Sequence, residues 1–150
     1  MIKAIFWDND GVLVDTEKLY YRANKEIFSN MGISLTEQIY IGIVTSSKRE
    51  HFEIIHSGTG LLKYFDFTLT SDDFRTPKPD PEPYLKALEK TGFKKEECIV
   101  VEDSQRGLTA ALKAELKCYV IPTELTGSSN FNGAEKILSS VSDLPELLLD

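Results

Sequence analysis

Only two cysteines, Cys98 and Cys118, occur in the 150 residues. Each sits beside or within an apolar run and neither has metal-type spacing. A disulfide scaffold and a cysteine metal site are therefore set aside, and both are read as structural thiols of a reducing compartment. Long apolar runs are missing as well: none approaches the roughly 20 residues that cross a bilayer. Met1-Ile2-Lys3 leads straight into a short strand, without the charged head and apolar segment of a secretory signal, so the expectation is a cytoplasmic protein with no membrane partner. Positive charge is scarce, with 17 basic residues against 24 acidic and a formal net charge of −7. The basic residues form no patch, which argues against nucleic acid as a partner. An acidic chain that handles an anion must concentrate its positive charge locally.

What is present is a succession of short apolar runs over 2–7, 39–44, 65–69, 99–101 and 118–121, each read as a buried parallel strand. Helical patterns fill the gaps over 18–31, 48–56, 81–90 and 105–114, and a last short helix is read over 141–149. Residues 126–130 read as a loop. Strand alternating with helix predicts an α/β fold, a doubly wound, Rossmann-like parallel sheet, and the length suits one domain. Several boundaries carry their own signals. Asp80 before Pro81 is an N-cap with proline at the first helical position, and Gly92 is a stop. Ser47-Lys48-Arg49-Glu50 has the form of a capping box.

In a parallel sheet the carboxyl ends of the strands share one edge, where ligands bind. The polar residues at those ends form a set. The first strand runs into Asp8-Asn9-Asp10-Gly11, whose two acids at about 4 Å and an effective dielectric of ~20 repel by ~4 kcal/mol, so a cation or a retained proton must offset them. An EF-hand is excluded because the ligand and glycine spacing is wrong. The second strand ends at Thr45-Ser46-Ser47 and the fourth at Glu102-Asp103, while Lys78 stands between prolines ahead of the third helix. Thr45, Ser46 and Ser47 offer a hydroxyl and amides to a phosphoryl group at a helix N-terminus, although Ser47 could equally be only an N-cap. Lys78 supplies a cation. His51 and His56, five apart, fall on different helix faces and are read as surface residues; Phe6 and Trp7 are read as core.

These four segments, in this order, resemble the haloacid dehalogenase superfamily, on the branch containing phosphoglycolate phosphatase and beta-phosphoglucomutase. Motif one is Asp8-Asn9-Asp10-Gly11-Val12, motif two ends at Thr45, motif three is Lys78 with its prolines, and motif four is Val101-Glu102-Asp103-Ser104. The resemblance implies that Asp8 is a nucleophile forming an aspartyl phosphate and Asp10 the general acid/base. Thr45 and Lys78 complete the catalytic set, and Asn9, Thr45, Ser46, Ser47 and Lys78 bind phosphate. It also implies a magnesium ion held by Asp8, the backbone carbonyl of Asp10 and Asp103, with Glu102 supporting the ion or its water shell. The expected activity is a magnesium-dependent hydrolysis of small phosphomonoesters. The alternatives are a sugar-phosphate mutase, or a cap-deleted or non-catalytic phosphate-binding core, including a receiver-like phospho-acceptor.

The chain departs from that branch in two places. Residues 11–44 alone separate Asp10 from Thr45, where relatives insert a whole helical cap. The chain is thus read as a single core domain over 1–150, with 16–38 a vestigial cap that still serves as crossover. The consequence expected is an open, weakly selective site, or one covered by a second subunit in a homo-oligomer. The other departure is Glu115, where relatives place glycine; a positive φ there would strain the turn.

Overall fold

The computed structural model describes residues 2–9 and 40–144. Asp10, the segment 16–38 with the helix expected over 18–31, and the end of the helix expected over 141–149 lie outside the described residues.

Among the described residues six strands form one sheet: β1 (Ala4–Trp7), β2 (Tyr40–Val44), β3 (Phe67–Leu69), β4 (Cys98–Glu102), β5 (Lys117–Val120) and β6 (Lys136–Ile137). Their order is β3-β2-β1-β4-β5-β6 and every pairing is parallel. The order reverses at β1, between β2 and β4, and a crevice at the carboxyl edge of such a switch point is where doubly wound sheets bind ligands. β6 was not expected from the sequence, because two exposed residues make no apolar run. Its pairing is extended by backbone bonds on either side, Glu135 N to Cys118 O and Leu138 N to Val120 O, both 2.8 Å.

Alternation along each strand divides the core into two layers. Ala4, Phe6, Val44, Cys98, Val100, Cys118 and Val120 face one side, beneath α2 (Glu82–Thr91) and α3 (Gln105–Lys113). Ile5, Trp7, Ile99, Val101, Tyr119 and Ile121 face the other and pack on Leu138, Val141 and Leu144. Phe6 and Trp7 are core, as expected. So are the two free cysteines; burial pushes the Cys98 thiol up to about 11 and the Cys118 thiol well above its ordinary range.

The helix ends follow local chemistry, with corrections. In α1 (Arg49–His56) the residue at the N-cap is Lys48, whose own side chain makes no cap hydrogen bond, so the capping box expected over 47–50 is not formed. Asp72, from the loop after β3, takes that role: its Oδ2 accepts from Arg49 N at 2.9 Å. α2 begins one residue later than expected, at Glu82, whose N–H is still capped by Asp80 Oδ1 at 2.9 Å. Gly92 ends it in the left-handed conformation, φ 67°. α3 is capped by Ser104, whose Oγ accepts from Gly107 N at 3.1 Å. It closes on paired bonds, Glu115 N to Leu112 O and Leu116 N to Ala111 O, both 3.0 Å, with Glu115 at φ 59°. The last expected helix opens as a short 3-10 turn, Val141–Asp143.

Candidate active site

Strand register builds the site before any side chain is considered. Trp7 pairs with Val101 and with Ile43, so the next residues, Asp8, Glu102 and Val44, stand side by side at the carboxyl ends of β1, β4 and β2. Asp8 and Glu102 continue the face that carries Phe6 and Val100, and both are buried. Two adjacent buried carboxylates require a counter-charge, since an unpaired buried ion is strongly destabilising.

Lys78 supplies it. Its Nζ donates to Asp8 Oδ1 at 2.6 Å, Glu102 Oε1 at 2.6 Å and the Val44 carbonyl at 2.8 Å, tying the ends of three adjacent strands together. An ammonium has three donors, and these bonds use all three. Burial alone would push the Lys78 pKa down. The charges of Asp8 and Glu102 and their hydrogen bonds outweigh that and hold it above the usual lysine range. Tyr84 on α2 completes the floor: its hydroxyl donates to Glu102 Oε1 in a short hydrogen bond, and its ring lies 4.9 Å below the Lys78 ammonium. Burial and the Glu102 charge push the Tyr84 phenol well above its ordinary range, so it remains a donor. Ser104 Oγ approaches Glu102 Oε2 at 3.3 Å. A Cβ at Gly107 would fall 1.9 Å from the Glu102 carboxylate, so the glycine is required by the space that carboxylate fills.

Asp8, Glu102 and Asp103 each bring a carboxylate oxygen within 4.8 Å of the others, all three buried. Three carboxylates face one ammonium, an excess that suits a hard divalent cation with oxygen ligands. Glu102 accepts from Lys78 and Tyr84 and lies beside Ser104, and Asp8 accepts from Lys78.

Of the hydroxyl residues, Thr45 is buried, and its Oγ1 accepts from Ser47 N at 3.0 Å. Ser47 precedes the N-cap of α1 and is not itself the cap. Ser46 lines a cleft of about 230 Å³ with Asp8, Lys78, Asp103, Ser104 and Arg106. Its Oγ is buried with no hydrogen-bond partner among the described residues. Asn9, read from the sequence as a phosphate ligand, turns its side chain the other way: Oδ1 accepts from His56 Nε2 at 2.7 Å. His56 is accordingly buried against Phe52, contrary to the surface placement expected, while His51 is exposed. Alternation accounts for both findings, since residue 9 must face away from residue 8. Sequence reasoning missed Tyr84, Gly107 and Arg106. Only Gly107 left a trace, a glycine inside the first turn of a helix that follows a motif.

The switch-point edge and its acid–lysine floor define a doubly wound enzyme domain. Residues 33–121 match the haloacid dehalogenase-like hydrolase family, and the chain belongs to it. It is similar to YhcW of Bacillus subtilis (strain 168), named as a candidate phosphatase, at 27% identity over an alignment of 214 positions that covers all of this chain and 97% of that one. Because this chain has 150 residues, an interior stretch of YhcW has no counterpart here. It is 32% identical to the pyrophosphatase PpaX of Bacillus cereus (strain AH820) over 146 residues, 95% of this chain and 64% of that one. The chain spans about half or less of several other curated relatives. Among solved structures it resembles CbbY of Rhodobacter sphaeroides in complex with phosphate, with a TM-score of 0.76 at 22% identity, 96% of each chain being covered. That likeness speaks to fold.

Proposed function

We propose that this protein is a magnesium-dependent hydrolase of small phosphomonoesters that works through an aspartyl phosphate on Asp8. The observation that carries the reading is the buried floor at the switch point, where Asp8 is clamped by Lys78 beside Asp103. Relatives named for phosphatase and pyrophosphatase activity support a small phosphorylated substrate. With Oδ1 held by Lys78, Oδ2 of Asp8 is the atom we assign to attack phosphorus, and the bond from phosphorus to the leaving oxygen breaks. Asp10 protonates that oxygen, then takes a proton from water as the water displaces Asp8 and releases phosphate. Thr45 and Ser46, with the amides that open α1, hold the phosphoryl oxygens. Lys78 limits the negative charge on Asp8 and fixes its orientation, and Glu102 and Tyr84 fix Lys78.

A magnesium ion held by Asp8, Asp103 and the Asp10 carbonyl would supply electrostatic stabilisation of the transferring group. Water, rather than a sugar hydroxyl, is the acceptor we favour over the mutase alternative. The support is the interior stretch of YhcW without a counterpart here, because excluding water takes a cover. The same point favours an accessible site or one roofed by a second copy in a homo-oligomer. Among the described residues no helix is long and apolar enough to cross a membrane, which is compatible with the cytoplasmic placement we propose.

The test is release of inorganic phosphate from an aryl phosphate with magnesium, with chelator and with Asp8→Asn. Activity confined to the first condition is expected. Three coincident traces would refute the hydrolase, and isomerised sugar phosphate without net release would favour the mutase.

A further inference from the structure

We propose that Arg106 reads the leaving group, and that the preferred substrates are phosphoryl donors whose leaving group carries a negative charge of its own. The inference rests on the hydrolase reading above and narrows its substrate class. It begins with Lys78. All three of its donors are spent on Asp8, Glu102 and the Val44 carbonyl, and its charge is already outnumbered by the floor carboxylates. Lys78 therefore has neither a donor nor surplus charge for a substrate anion.

Arg106 is the other cation lining the cleft. It stands in the first turn of α3, one turn from Asp103, and is exposed where Asp8, Lys78 and Asp103 are buried, which puts it at the rim above the floor. Among the described residues, the rest of the cleft lining is acids, serines and Lys78. Among the described residues no ion pair or hydrogen bond of the Arg106 side chain is found, whereas the arginine of α1, Arg49, is held by Asp73 at 2.6 Å. An unpaired guanidinium at the mouth of an anion-handling cleft, in a chain of net charge −7, is a local concentration of positive charge.

A second observation points to a ligand in the same cleft: the Ser46 hydroxyl is buried without a partner among the described residues, a state that carries a desolvation cost until something polar meets it. Floor and rim divide the substrate between them. The transferring phosphoryl group lies on the floor, and what reaches Arg106 is the remainder of the molecule. A guanidinium favours a planar or tetrahedral oxyanion with two acceptors, a carboxylate or a phosphate.

The experiment compares glycerol 3-phosphate, 3-phosphoglycerate and pyrophosphate at constant free magnesium, in the full chain, Arg106→Gln and Arg106→Lys. The remainder is uncharged in the first, a carboxylate in the second and a phosphate in the third. Arg106 is exposed, so neither variant threatens folding. The full chain is expected to prefer at least one charged-remainder substrate over glycerol 3-phosphate by about 10- to 100-fold in kcat/KM, as for a charge-assisted bond. Arg106→Gln is expected to bring that ratio near unity and Arg106→Lys to retain part of it. Preference for 3-phosphoglycerate, pyrophosphate or both tells carboxylate from phosphate. The same comparison made by calorimetric binding to Asp8→Asn, with and without Arg106→Gln, needs no turnover. A preference that survives Arg106→Gln, or no preference in either hydrolysis or binding, overturns the assignment. Binding selectivity that depends on Arg106 without phosphate release from any compound would overturn the hydrolase reading and leave Arg106 as the anion-binding residue.

Discussion

At Lys78 two opposing costs meet: a buried ammonium loses its hydration, and two buried carboxylates repel each other. Neither is tolerable alone, and the three bonds from Nζ resolve both. Lys78→Met is therefore expected to cost about 3–5 kcal/mol, because it leaves Asp8 and Glu102 buried without a counter-charge. Urea unfolding of the variant checks this, and an effect below about 1 kcal/mol would mean that the floor is hydrated. Gly107→Ala is the corresponding test from the far side of Glu102. The added Cβ, 1.9 Å from the carboxylate, must push Glu102 off Lys78, since helix backbone cannot yield as a side-chain tip can. Loss of about 2 kcal/mol or more in stability is expected; unchanged stability would show that Glu102 has room to move.

At the scale of elements, the stability of α1 depends on a loop that is distant in sequence. Asp73 Oδ2 accepts from Thr70 N at 2.7 Å, Thr70 Oγ1 at 3.0 Å and Arg49 at 2.6 Å. Partial burial pushes its carboxyl up, but the Thr70 bonds and the Arg49 charge outweigh that and hold it below the usual range. A depressed folded pKa gives stability that is present above the unfolded value, near 3.8, and is lost as pH falls through the folded one. Asp73→Ala should therefore cost about 1–2 kcal/mol at pH 7, and the gap from the parent should narrow below about pH 4. A gap independent of pH would assign the effect to packing. The end of α3 behaves oppositely. Glu115 occupies a left-handed position, φ 59°, that glycine fills without strain. Its compensation is an exposed pair with Lys95, a weak contributor. Glu115→Gly is expected to raise Tm by about 2 °C, read by thermal unfolding; a fall would mean that the ion pair outweighs the backbone.

For the whole molecule, the excess of buried carboxylate at the switch point is expected to couple folding to a cation. Magnesium at about 100 times its Kd should stabilise the fold by about 2.7 kcal/mol. Thermal unfolding with magnesium and with chelator reads this, and Asp103→Asn should abolish most of the difference. An equal response in Asp103→Asn would place the ion elsewhere.

The sequence by itself determined the parallel sheet and the order of its first five strands' chemistry, because buried strands and helix stops are local patterns. It likewise placed Asp8, Thr45 and Asp103 at one edge, since residues at the carboxyl ends of parallel strands have nowhere else to go, whereas Lys78 reaches that edge from the connection after β3. Cues that rest on spacing alone fared less well. Ser47-Lys48-Arg49-Glu50 has the form of a capping box, yet Asp72 does the capping; the spacing of His51 and His56 suggests surface residues, yet His56 is buried on Asn9. Both outcomes are settled by a partner more than 20 residues away. Only the tertiary structure decided that Lys78 spends every donor on the protein, that Glu102 accepts from both Lys78 and Tyr84, that Tyr84 lies beneath the ammonium and that Arg106 stands at the rim. Those facts concern distances and hydrogen-bond valence between elements, which motif order cannot encode.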